Sequence, residues 1–403
     1  MVNVRIVITL VIVAVLAFIG LNTYHYFFDK NIPELIVTGI KNEGHYAGDI
    51  SCILHGSHSY KVKTISIFLD EKPLIYNFSI NKKSFEHPFT INTRALTQGK
   101  HALAIKLVDG TYQKNVKEGA YIFFVDNVPL QAAFTKQDAD HKVFQGRTMH
   151  VQFQTSKPLK DAKVHIFSQE FNCHPEMKNS TIYEAFVPIE CEQAPNEYLY
   201  QINCFDHVDN LVTLEGKVQV VAFPFKRQKL LRIDEKKVEA EKKAGMSQKQ
   251  LDEKLALCVL ESSKDKLWHG PFVIPFDATG IASEFGTIRT TQTRGMYVHK
   301  GVDFMGPIKG VVWADQDGVV IEKAPYAFSG NTVAIDHGCG VFSLFFHLDS
   351  FNSDIEIGQK IKKGNPVGKM GMTGFADGYH LHWEMRINGT AVDPLQWTNV
   401  NFA

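Results

Sequence analysis

Hydrophobic and polar positions fall into four regimes along the chain. From Ile6 to Leu21 runs an uncharged, apolar stretch, with Arg5 just before it. At about 1.5 Å per residue these sixteen residues make a helix of roughly 24 Å, a little short of a ~30 Å hydrocarbon core. Tyr24, Tyr26, Phe27 and Phe28 follow, and such residues suit a membrane–water interface. Phe18-Ile19-Gly20 makes a poor cleavage site. The expectation for residues 1–30 is therefore an uncleaved signal-anchor, with a cleaved and secreted form as the alternative. Either way, the remainder lies outside the cytoplasm, in the periplasm or cell envelope.

From 31 to 225 short alternating runs separated by turn residues predict β-structure, and the pattern repeats. His101–Asp109 corresponds to Tyr198–Asp206 at a displacement of 97 residues, and Gly119-Ala-Tyr-Ile-Phe-Phe to Gly216-Lys-Val-Gln-Val-Val at the same displacement. Ala47-Gly48 and Gln145-Gly146 open comparable strands. Two copies of this size suit tandem β-sandwiches at 31–127 and 128–225, with Asp126-Asn-Val-Pro129 as the joint. They resemble bacterial immunoglobulin-like modules, including a late D-x-x-x-N stretch at Asp206–Asn210. Such modules serve either as a passive spacer or to recognise the cell wall or a protein partner.

Between 226 and 263 the regime changes. Asp234–Ala244 is dense in Glu and Lys, Gly245 breaks it, and Ser247-x-x-Gln250 has the form of a capping box. Leu251, Leu255, Cys258 and Val259 then recur at helical spacing. A helical linker is expected here, leading into a last domain at 264–403. There Asp317–Val320, Thr332–Ile335, Gly340–Phe346 and His380–Met385 are strand candidates of a compact antiparallel sheet. The expected fold class is therefore mainly β.

Composition adds limits. At 403 residues the chain holds two or three domains. Its 43 Lys and Arg balance 43 Asp and Glu, so no global field draws nucleic acid, and none is expected as a partner. None of the six cysteines forms a C-x-x-C pair, which argues against a cysteine-based metal or redox site. Export permits disulfides, and a pair among Cys173, Cys191 and Cys204 is conceivable, although buried thiols suit most of the six.

Candidate chemistry is concentrated between Tyr297 and Arg386. A zinc site needs imidazole and carboxylate ligands converging on one point, with a position left for water. His299, Asp303 and His382 can supply two imidazoles and one carboxylate. Side chains alternate along a strand, so His380, His382 and Glu384 share one face and Leu381, Trp383 and Met385 the other. An extended Val298–Phe304 would pair His299 with Asp303, and the alternation of Phe342, Leu344 and Phe346 turns His347 away from their apolar face. A lone histidine is ordinarily a hydrogen-bonded or surface residue; it is the joint pattern that points to metal chemistry.

The stretch from Trp268 onward, about 140 residues, resembles the catalytic domain of lysostaphin-like (LytM-type) zinc metallopeptidases, which cut peptide bonds in peptidoglycan. The resemblance rests on His299-x-x-x-Asp303, His347 and His380-x-His382, with Ser283-Glu-Phe-Gly, Gly301-Val-Asp-Phe, Gly330–Gly338, Gly358–Gly364, Gly371-Met-Thr-Gly374 and Asp393-Pro394 between and after them. It implies Zn2+ held by His299, Asp303 and His382, with His347 and His380 assisting catalysis, and stem peptides or cross-bridges of peptidoglycan as substrate. Met372 and Tyr379 stand where the family commonly has Asn and Pro. The upstream Tyr that assists the oxyanion in many members has no counterpart at Thr290, Thr291 or Thr293, and Tyr297 is too close to the first ligand. The alternatives are a catalytically silent regulator of another wall hydrolase and a surface adhesion protein.

Overall fold

The computed structural model describes residues 4–135, 140–231, 247–291 and 295–400. Asp234–Ala244, Gly245 and Thr293 lie outside the described residues. The fold is mainly β with an apolar helix near its start. It divides into two compact units, one reaching to Pro129 together with His207–Asn210, the other holding the rest.

In the first unit, helix α1 (Val4–Phe28) exposes its apolar side chains all round, and its span Arg5–Phe28 has a mean hydropathy of 2.6. That length and apolarity are enough to cross a membrane. Beyond it lies one six-stranded sheet rather than two separate layers. Strand Asp49–Leu69 explains this. Its first half pairs Glu34–Thr38, its second half pairs Gly99–Asp109, and a register irregularity falls between Ser57 and Val62. Such a break bends a strand and lets one strand serve both halves around the core of Leu54, Ile65, Leu103 and Phe123.

In the second unit, residues 130–221 form a five-stranded and a four-stranded sheet around Phe153, Val164, Tyr200 and Ile202. The sequence repeat has a structural counterpart. Hairpins Gly99–Asp109/Val116–Val125 and Glu197–Phe205/Leu211–Val221 each carry a parallel strand on their outer edge, Gly44–Tyr46 and Asp140–Phe144. Gly48 and Gly146 both take positive φ, 73° and 75°, as the turn before each copy's next strand requires. All six cysteines are thiols, so no pair forms among Cys173, Cys191 and Cys204; Cys204 is instead part of the buried core.

The expected helical linker begins differently. Arg227–Leu231 is a strand, joined in parallel to Ile288–Thr291. Helix α2 (Gln248–Glu261) follows, opened by a complete Ser247/Gln250 capping box. Its buried residues Leu251 and Leu255 pack on Phe342, Leu344 and Phe346.

The C-terminal part is a ten-stranded antiparallel sheet containing all four expected strands. Its centre runs Val302–Met305, Leu381–Ile387, Val341–Phe351 and Gly330–Asp336. It shares a core with the preceding β-sandwich: Phe186 sits 5.5 Å from both Trp268 and Trp397. Helix α3 (Pro394–Asn399) fastens the join. The Gln396 side chain exchanges two hydrogen bonds with the Thr148 backbone, 2.7 and 2.9 Å, and Trp397 Nε1 donates to Thr148 Oγ1 at 3.1 Å. Arg147 meets Asp393 at 2.9 Å.

Candidate metal centre and cleft

Adjacent strands bring the five predicted residues to one place. Asp303 and His382 are directly opposite cross-strand partners, so their side chains leave the same face. Leu381, Trp383 and Met385 fill the core on the other face, fully buried. His299 arrives by another route than an extended Val298–Phe304. The strand Gly295–Val298 ends before it, and 299–301 is a turn that re-enters the sheet at Val302. Gly301 permits the turn: a Cβ there would lie 2.5 Å from Trp383 O and 2.7 Å from His382 Nε2.

His299 Nε2, His382 Nδ1 and Asp303 Oδ1 stand 2.7–3.0 Å apart, and all three residues are buried. Ligands ~2.0–2.1 Å from a tetrahedral zinc lie about 3.3 Å from one another, so the triangle needs only slight expansion to hold one. The proton count also fits. His299 Nδ1 donates to the Glu284 carbonyl at 2.9 Å, so the neutral ring turns the lone pair of Nε2 toward a carboxylate oxygen at 3.0 Å. Two facing acceptors require a proton or a cation between them.

Electrostatics agree. Burial works against charge on Asp303, yet contact with the His299 and His382 imidazoles holds its carboxyl well below the usual range. Burial also opposes charge on His382, but Asp303 and Glu384 raise it to about 9. Behind His382 runs a file of alternating charges: Nε2 to Glu384 at 3.2 Å, Glu384 to Arg386 Nε at 2.8 Å, and Arg386 to Asp252 of α2 at 3.0 Å. Despite full burial, Arg386 and His382 keep Glu384 ionised, at about 2.

His347 reaches the site because the strand breaks step. Alternation alone would send it to the face opposite Phe346. Its φ of +60° and the register shift opposite Asn331–Val333 form a bulge, and both side chains end beside His382. The Phe346 ring stacks on His382 at 5.1 Å; the His347 ring lies 6.1 Å from His382 and 4.8 Å from His380. Bulges re-aim side chains in this way beside active sites. Burial first, then the neighbouring His380 and His382, lowers His347 to about 3, so it is neutral. Its Nδ1 donates to Thr373 O at 2.8 Å, and His380 Nδ1 donates to Gly378 O at 2.9 Å. Neutral His347 is thereby left with an unprotonated Nε2, and His380 Nε2 is 3.8 Å from Asp303.

Sequence reasoning missed Arg289, whose guanidinium reaches the outer Asp303 oxygen at 2.8 Å. It belongs to no motif and comes from a neighbouring small sheet. A cleft of about 740 Å³ opens over the five residues, with Tyr297, Phe328, Phe375 and Tyr379 among its walls.

Residues 297–394 match Peptidase family M23. The C-terminal part of this chain is an M23 peptidase domain. Peptidoglycan DD-endopeptidase ShyC of Vibrio cholerae is 32% identical over 121 residues, 30% of this chain and 28% of its own length. DD-carboxypeptidase/endopeptidase Mpg of Neisseria meningitidis is 36% identical over 121 residues, 30% of this chain and 27% of its own. Among solved structures, the catalytic domain of lysostaphin from Staphylococcus simulans is 25% identical, with a TM-score of 0.27 over 30% of this chain and 92% of that one. The matches to curated relatives thus span little more than a quarter of those proteins.

Proposed function

We propose that this chain is a zinc endopeptidase that hydrolyses peptide cross-links of peptidoglycan, held to the membrane by α1 with its bulk outside the cytoplasm. The observation that carries the reading is the buried triangle of His299, Asp303 and His382 beside two imidazoles whose Nδ1 atoms are committed to backbone carbonyls. The DD-endopeptidase names of the relatives make the D,D-bond between stem peptides the first candidate. Residues 31–127 and 128–225 are read as immunoglobulin-like modules, 226–263 as a linker and 264–403 as the peptidase domain.

Zinc held by His299, Asp303 and His382 supplies Lewis-acid polarisation of a carbonyl and activation of water near neutral pH. The protein orients the rest. Glu284 O fixes His299, and Glu384 fixes His382, so both ligand nitrogens are aimed before metal arrives. Of His347 and His380, each with Nδ1 engaged, one would take up the proton of the attacking water at Nε2 and the other would face the developing negative charge.

The test is zinc content and turnover on purified peptidoglycan of defined cross-link type, with mass analysis of the fragments. His299→Ala, Asp303→Ala and His382→Ala are expected to lose both metal and activity. His347→Ala and His380→Ala should keep zinc while turnover falls about 10²–10³-fold. Full zinc content in His382→Ala would overturn the ligand assignment. A wild type loaded with zinc and inert on every wall type would favour the silent regulator.

A further inference from the structure

The end of α1 does not lead into a free tether; it is built into the first β-unit. Tyr112 N donates to Tyr26 O at 2.8 Å, and Asn115 Nδ2 donates to Asp29 O at 3.2 Å. The Asp29 carboxylate, buried, accepts from Ser59 Oγ and from Asn31 N, and His58 Nε2 donates to Asn31 O at 2.9 Å. Two segments, the irregular middle 58–61 of strand Asp49–Leu69 and the loop 110–115, therefore sit at the level of the last helical turn. Neither is loose. Buried Asp109 holds Thr111 N, Asn115 N and the Asn115 side chain. Gly110 lies under the Lys61 stem, where a Cβ would come within 2.4 Å of it.

The depth of that turn follows from helix geometry. A ~30 Å hydrocarbon core takes about 20 helical residues, so a span starting at Ile6 ends near His25. Tyr26, Phe27 and Phe28 then lie in the headgroup layer, and the loop bonded to Tyr26 lies there with them. The exposed side chains at this level suit that setting. Tyr112 is 67% exposed and Phe28 64%. Tyr112 lies 5.8 Å from the Phe27 ring and 6.4 Å from Tyr26, and Tyr60 carries the Lys61 ammonium over its face at 5.3 Å. Lys30 and Lys114 are exposed beside them. Aromatic rings with lysines at their rim are what an interfacial layer takes up.

We propose that the strand irregularity at 58–61 and the loop 110–115 dip into the headgroup layer of the bilayer that α1 spans, giving the first β-unit a second foot on the membrane. The proposal rests on the reading of α1 as an anchor and not on the peptidase reading. The full chain would be reconstituted in vesicles of phosphatidylethanolamine and phosphatidylglycerol, with a photoreactive phenylalanine analogue at Tyr24, Tyr112 or Tyr76 in turn. Tyr76 is exposed on the same unit, next to Ile75, which pairs with Ile67 about 20–25 Å along the strand from the 58–61 segment. Lipid adducts at 24 and 112, at least tenfold above those at 76, are expected. Adducts at 24 with 112 no higher than 76 would overturn the second foot while leaving the anchor intact. Absence of adducts at 24 would remove both. Equal labelling at all three positions would mean a unit lying flat on the bilayer, and would overturn a contact confined to the two segments.

Discussion

Arg289→Met keeps most of the side-chain bulk and removes the guanidinium that meets Asp303 Oδ2 at 2.8 Å. Both partners are largely buried, at 17% and 8% side-chain exposure. Opposite charges about 4 Å apart near a protein surface attract by about 4 kcal/mol, but water entering the vacated space and the cost already met in burying the pair return much of that. Outer partners of metal ligands typically contribute about 10–100-fold in affinity, or roughly 1.4–2.7 kcal/mol. Zinc should therefore bind Arg289→Met about 10–100-fold more weakly, with Arg289→Lys between the two because an ammonium restores the charge without the fork. Competition against a chromophoric chelator measures this, with circular dichroism to verify the fold. A fully folded Arg289→Met with wild-type zinc affinity would refute the claim that this arginine positions the carboxylate for metal.

Gly301→Ala should cost about 1–3 kcal/mol as overpacking and weaken zinc retention, because the new methyl meets His382; unchanged metal content would show that the turn can give way. Phe186→Ala removes a ring buried between Trp268 and Trp397 and should destabilise the second unit by about 3–5 kcal/mol, read from the midpoint of denaturant unfolding. A third expectation concerns pH. Burial opposes charge on His101, but its bond to Asp70 at 2.6 Å raises its pKa, while burial of Asp70 is outweighed by the bonds from Ala102 and His101, which lower it. The histidine's contribution is complete below its unfolded value of about 6.5 and fades as pH rises through the raised folded one. The aspartate's is complete above about 3.9 and fades as pH falls. The first unit should thus lose stability from about pH 6.5 upward, and His101→Gln should flatten that slope in thermal melts of the detergent-solubilised chain.

The face that carries His382 could be read before the fold because period-two alternation puts Leu381 and Trp383 inward, whereas its place opposite Asp303 is a tertiary pairing that only the resemblance implied. The capping box of α2 was legible for a similar reason, being a bond between residues three apart. The aim of His347 was not, since alternation is the rule that a left-handed residue breaks, and nothing in Phe346-His347-Leu348 announces the bulge. Arg289 and Asp252 were invisible because their partners, Asp303 and Arg386, are set by tertiary contact. The strand at Arg227–Leu231 was missed because edge pairing with Ile288–Thr291 decides it, and a five-residue run has little propensity of its own. The single sheet of the first unit depends on irregular steps along Asp49–Leu69, the first of them between Ser57 and Val62, which composition does not mark.

The seam at Phe186 bears on how this protein can be cut and recombined. A fragment beginning at residue 264 keeps His299, Asp303 and His382 and the aromatic walls of the cleft, yet it would present Trp268 and Trp397 to water and leave Gln396 and Asp393 without Thr148 and Arg147. Such a fragment carries a sticky aromatic face where the intact chain has an interior. The portable piece is the longer one that starts at Leu130, and grafts onto foreign binding modules should travel with that sandwich attached.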